Sequence, residues 1–178
     1  MKAGLTHAMD PFATLGISRK YDVDMRALER THRELSRALH PDRYVSTPAS
    51  ERREALARAV EVNEAWRIVR DPIRRAEALL LLLGIGVGED REASLDQDFL
   101  MDMLEQREAL ADAKCAHDKT AVQNLAETIR MRSAETEREL SDGLTSGRRE
   151  PLVGTLGKLR FYRRFLEEVA AIEDELVS

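Results

Sequence analysis

Aromatic residues make up only 4 % of this 178-residue chain, so a core must rest on Leu, Ala, Val and Ile. A single cysteine, Cys115, excludes an intramolecular disulfide framework and a cysteine-only zinc or iron–sulfur site. It also suits a reducing compartment. Five prolines and nine glycines are too few for a linker-rich or disordered chain. The longest apolar run, Ala78 to Leu83, falls far short of a membrane span. Met1 to Ala13 lacks the continuous apolar stretch of a signal peptide. No strand-period pattern of useful length and no internal repeat is present. His7, His32, His40 and His117 form no HxxxH or HExxH pair. Gly84, Gly86 and Gly88 follow a helical segment, not a strand, so they make no phosphate loop. Enzyme chemistry built on a metal, a cofactor or a bound nucleotide is therefore not expected. Cys115, late in a helix, reads as an inert core or boundary residue.

What remains is 43 % hydrophobic and 34 % charged, rich in leucine and alanine, which points to an all-α protein. Charge is unevenly placed. Residues 1–75 hold 15 Lys/Arg against 11 Asp/Glu, and residues 76–178 hold 13 against 22. A front of +4 and a back of -9 suggest two domains that face different partners.

Asp10-Pro11-Phe12 and Leu15-Gly16-Ile17 read as a short anchoring segment. A helix is predicted from Asp24 to Leu39, with Leu28, Leu35, Ala38 and Leu39 on one broad face. Arg26, Arg30, Arg33 and Arg37 repeat at 4, 3 and 4 and form a stripe on the opposite face. Pro41 ends this helix near Leu39 or His40. A loop runs to about Ser50, where Thr47-Pro48 is expected to cap the next helix. There Ala55, Ala59, Val62, Trp66 and Val69 repeat at helical spacing. Asp71-Pro72 caps a further helix to Leu83. Its five leucines, Leu79 to Leu83, are apolar all round, and burial of the whole run is expected.

The second half reads as three helices. They span about Gln97 to His117 with a Ser94/Gln97 capping box, Lys119 to Leu140, and Pro151 to Leu176. Ser141-Asp142-Gly143 to Arg149 reads as a loop. Apolar stripes and short connections predict an antiparallel three-helix bundle. The boundaries expected are 1–76 for the first domain, 77–90 for a connection and 91–178 for the bundle.

His40-Pro41-Asp42 at the hairpin tip is the uncommon feature. By itself it suits a helix-terminating turn, and the arginine stripe by itself suits a solvated face. Placed directly after a basic helix and before the Ala59/Val62/Trp66 seam, the tripeptide resembles the loop of a J domain. That resemblance implies binding to a 70-kilodalton heat-shock chaperone through His40, Pro41, Asp42, Arg26, Arg30, Arg33 and Arg37, and stimulation of its ATP hydrolysis.

No Gly/Phe-rich linker and no CxxCxGxG repeat follow. Instead the chain is similar to the HscB family of iron–sulfur cluster co-chaperones. The match rests on Asp10-Pro11-Phe12, Leu39 to Tyr44, Val62-Asn63, Asp71-Pro72 with Arg75-Ala76-Glu77, and the leucine run. Further on it rests on Phe99-Leu100-Met101, Glu105, Arg107-Glu108 and Lys158 to Phe161. It implies a bundle that binds an IscU-like scaffold for an HscA-like chaperone. The positions carried over are Leu100, Met101, Leu104, Glu105, Glu108, Asp112 and Phe161. Asp112 replaces a glutamate of the family, and Asp102-Met103 replaces a more usual Glu-Gln. Around the helix, Phe99, Met103 and Leu110 lie within about 40° of one another and are core candidates. Met101, Glu105, Glu108 and Asp112 lie within about 60° on another side, with Leu100 and Leu104 between the two sets. Met101 suits a bundle edge as well as an interface by spacing alone. A cytoplasmic, bacterial, monomeric adaptor with no nucleic-acid or membrane partner is the expectation. A J-domain protein for an unrelated client, or a helical adaptor without chaperone contact, are the alternatives.

Overall fold

The computed structural model describes residues 10–87, 95–147 and 151–177. All regular elements among them are helical: α1 (Pro11–Leu15), α2 (Met25–Ala38), α3 (Ala49–Arg70), α4 (Pro72–Leu82), α5 (Gln97–Cys115), α6 (Lys119–Ser146) and α7 (Leu152–Val177), with a 3-10 turn at Pro41–Tyr44. The chain divides into two compact units between Ile85 and Gly86.

In the N-terminal unit, Asp10 caps α1 by accepting the Phe12 and Ala13 amides at 3.0 and 3.1 Å. Gly16, at φ +66°, ends it. This fixes the direction of Phe12 and Leu15, which are fully buried and lie against α3. The α2–α3 hairpin closes on Leu28, Val62, Ala65 and Val69, all 1 % exposed or less. Ala65 was absent from the expected seam, and its small side chain suits a tight helix crossing. Asp71 accepts the Ile73 and Arg74 amides at 3.0 Å, and Pro72 starts α4 where no amide is needed. Arg75 is buried. Its Nη1 donates to the Val69 carbonyl at 2.9 Å, and its guanidinium lies 4.7 Å from the Tyr21 ring centre. A cation held this way ties α4 to the segment before α2.

Three expectations fail in this unit. Thr47 does not cap α3: Pro48 occupies the cap position with no side-chain bond, and Thr47 Oγ1 donates to the Tyr44 carbonyl at 2.9 Å. The leucine run is only partly buried. Leu79 and Leu80 are core, whereas Leu81, Leu82 and Leu83 are 53, 37 and 42 % exposed. Five successive positions sweep more than a full helical turn, so one packing face within the unit cannot take them all. Leu81 and Leu82 instead line an open groove of about 550 Å³ with Pro11, Ile68 and Ala78. Ala38 is exposed, and Leu35 and Leu39 are half-buried, so Leu28 carries most of the α2 packing.

The C-terminal unit is a three-helix bundle in which α6 and α7 pair along their length and α5 packs on both. Phe99, Met103 and Leu110 are buried, as are Val122, Ile129, Leu140, Leu152, Leu156, Leu159 and Val169. Tyr162, Phe165 and Ile172 join them. Lys114 Nζ meets Glu175 at 2.6 Å and Arg107 Nε meets Glu168 at 3.7 Å, both from α5 to α7. Asp102 pairs with Arg132 of α6. The expected loop after Leu140 is wrong. Helix α6 continues through buried Gly143 to Ser146 and stops at Gly147, φ +74°. Packing overrides the local turn preference of Ser-Asp-Gly. Cys115 is exposed at the end of α5, not in a core. Asp96 caps α5; Ser94 of the expected capping box lies outside the described residues, as do residues 1–9, Gly88, Arg148 and Arg149.

Tyr162 supplies a pH prediction. Burial pushes its hydroxyl pKa above the ordinary 10.0, while the Arg132 charge and the Thr136 hydrogen bond oppose that rise. The unfolded chain therefore releases this proton first as pH rises. The stabilisation is complete below pH about 10 and declines above it. Urea titrations from pH 9 to 11 are expected to show a loss that Tyr162→Phe reduces. An identical loss in both proteins would exclude Tyr162 as its source.

Candidate functional site

At the hairpin tip, Asp24 accepts the Arg26 and Ala27 amides at 2.9 and 3.1 Å and starts α2. Buried Leu28 sets the rotation of the helix. Arg26, Arg30, Arg33 and Arg37 consequently all face solvent. His40 is extended at φ -62°, ψ 133°, as the residue before a proline must be. Pro41 then begins the 3-10 turn. His40, Pro41 and Asp42 are all exposed, with the Asp42 side chain 85 % accessible. His40 Nδ1 accepts the Asp42 amide at 3.3 Å and lies 3.4 Å from its carboxylate. The tip is tied down by contacts that spacing along the chain does not show. Tyr44 donates its hydroxyl to the Ala38 carbonyl at 3.3 Å. Behind it, the His32 ring stacks on Trp66 at 4.6 Å and 13°, and its Nε2 meets Asn63 Oδ1 at 3.0 Å. The result is a basic ridge ending in an exposed, conformationally restricted loop.

On the C-terminal unit, Phe99, Met103, Leu110 and Ala113 turn one side of α5 into the bundle. That leaves Leu100, Met101 and Leu104 exposed at 41, 52 and 50 %. Glu105, Glu108 and Asp112 are exposed beside them. Phe161 differs: it is half-buried, its ring edge-on to Phe99 at 5.8 Å and covered by Arg164 at 4.8 Å. Three large apolar side chains beside carboxylates form a patch that water solvates poorly, which fits protein binding. Among the described residues no three His, Cys, Asp or Glu side chains gather as a metal site. No described helix is long and apolar enough to cross a membrane.

Residues 95–170 match the family model described as HSCB C-terminal oligomerisation domain. The chain is 34 % identical over 169 residues to the co-chaperone protein HscB homolog of Aeromonas hydrophila, covering 94 % of this chain and 98 % of that one. It is 31 % identical over 174 residues to the homolog of Shewanella baltica, covering 96 % and 100 %. Chaperone HscB from Vibrio cholerae superposes with a TM-score of 0.85 at 27 % identity, covering 94 % of this chain and 99 % of that one. The hairpin unit is thus a J-like domain and the bundle its C-terminal companion. With relatives that match end to end and a fold that follows them, this chain belongs to the HscB co-chaperone family.

Proposed function

We propose that the chain couples an iron–sulfur cluster scaffold to an HscA-like 70-kilodalton heat-shock chaperone. The tip at His40, Pro41 and Asp42, with the ridge Arg26, Arg30, Arg33 and Arg37, docks on the chaperone and accelerates its ATP hydrolysis. The face at Leu100, Met101, Leu104, Glu105, Glu108 and Asp112, with Phe161 at its edge, holds an IscU-like scaffold. The observation that carries this reading is the presence of two exposed surfaces of opposite chemistry on separate units. One is basic and polar; the other is apolar and acidic.

Four arginines steer an acidic surface toward the tip and raise the rate of encounter. Pro41 presets the loop, so less ordering is lost on binding. The accessible Asp42 carboxylate competes for a cation on the chaperone and so shifts the balance between its conformations. ATP chemistry stays on the chaperone, and this chain acts as a cytoplasmic, monomeric adaptor.

The test is the steady-state ATPase rate of the cognate chaperone with this protein and the scaffold, added separately and together. Stimulation by this protein, and a further synergistic rise with both, is expected. Stimulation indifferent to scaffold would overturn the coupling and leave a J-protein for another client.

A further inference from the structure

The ion pairs of α5 identify its two edges. Arg107 and Lys114 reach α7, and Asp102 reaches α6. At about 100° per residue, Leu100 lies next to Arg107 and Leu104 follows it. Glu108, Asp112 and Glu105 come after these, toward the Asp102 edge. The apolar pair therefore borders α7, and the carboxylates lie on the side of α6.

Across the α7 border stand two cations. Lys158 Nζ is 5.4 Å from the centre of the Phe99 ring, and the Arg164 guanidinium is 4.8 Å from that of Phe161. Phe99 and Phe161 touch edge to face, so the two cations share one aromatic platform, and Leu100 follows Phe99 directly on α5. Contact with a ring face restrains each charge. Arg164 is exposed and Lys158 half-exposed, and Arg164 Nε also donates to the Arg160 carbonyl of its own helix at 3.4 Å. Going across the surface, the order is cation, the Leu100/Leu104 pair, then the carboxylates with Met101 among them.

We infer that this surface reads the polarity of its partner, and that Lys158 and Arg164 are partner-binding residues that receive a carboxylate of the bound protein. The complementary segment presents apolar side chains to Leu100 and Leu104, an acidic group on the α7 side and a basic group toward Glu105 and Glu108. Charge complementarity thus specifies the orientation of the occupant as well as its composition. The inference rests on the scaffold-docking reading above.

Calorimetric titration of full-length protein with a purified iron–sulfur scaffold tests it. K158E/R164E is expected to bind about 10-fold more weakly, with the difference shrinking at high salt. The four-fold variant E105K/E108K/K158E/R164E keeps the net charge and inverts the polarity. It is expected to bind more weakly still, whereas a surface sensing only net charge would leave it near the parent affinity. Circular dichroism and thermal unfolding check the fold. If the reversal unfolds, K158Q/R164Q replaces it, with K158R/R164K expected to retain affinity. Parent-like binding by a folded K158E/R164E or K158Q/R164Q would overturn this inference alone. No binding by the parent chain would overturn the scaffold reading and this inference with it.

Discussion

His40→Gln is expected to leave the fold intact and abolish stimulation of the chaperone's ATPase, bringing the rate back to that of the chaperone alone. The structural cost is small because the histidine faces solvent, with its side chain 58 % accessible. Its intramolecular contacts are both to Asp42: the 3.3 Å bond that Nδ1 accepts from the amide at the start of the 3-10 turn, and the exposed carboxylate 3.4 Å from the same nitrogen. Loss of an exposed capping bond costs about 1 kcal/mol or less. The turn keeps Pro41 and the Tyr44 bond to Ala38. Binding and activation have no such reserve. The exposed imidazole is a rigid ring, whereas glutamine is flexible and must be ordered on docking. Circular dichroism and urea unfolding should match the parent, while a coupled ATPase assay should read baseline. Normal stimulation by the variant would remove the tip from the docking account.

Replacing Leu100, Met101 and Leu104 together with serine is expected to weaken scaffold binding by about 100-fold while stimulation measured without scaffold is unchanged. Each side chain already buries about half its surface within the bundle, so only the remaining half is available to a partner. Covering three such halves gives about 3 kcal/mol, which corresponds to roughly two orders of magnitude in affinity. The cost to the bundle is lower helix propensity, a few tenths of a kcal/mol per residue, plus part of the lost packing. Phe99, Met103 and Leu110 still hold α5 in place. Stability must be measured beside affinity, since Leu104 stands between the core side and the exposed side. Undiminished affinity in calorimetry would exclude this face. A matched loss of ATPase stimulation without scaffold would show that the N-terminal unit had been disturbed as well.

Much of the architecture was legible because it depends on local chemistry. Asp24 and Asp71 announce helix starts through the amides their carboxylates accept, whereas the Asp10 cap of α1 lies in what reads from sequence only as an anchoring segment. Pro41 cannot continue α2, and the arginine spacing defines a face without any tertiary information. The same holds for Phe99, Met103 and Leu110, whose periodicity marks one side of α5. Local chemistry misled where a neighbouring helix had the deciding influence. Ser141-Asp142-Gly143 has turn composition, yet α6 continues through it to Ser146. Leu81 to Leu83 are as hydrophobic as Leu79 and Leu80, yet they point away from the packing face of their own unit. Thr47 has the right chemistry for a cap and uses its hydroxyl elsewhere.

The order of residues alone was sufficient to determine the all-helical class, the Asp71 cap, the basic stripe and the tripeptide at its end, because each arises from neighbours within a few positions along the chain. Tertiary structure alone decided the companions of those features. Arg75 under Tyr21, His32 against Trp66, and Lys158 over Phe99 join residues on different elements at separations no helical period encodes. Such contacts require the crossing of elements, and a crossing is settled by how side-chain volumes interlock, not by the pattern of any single helix.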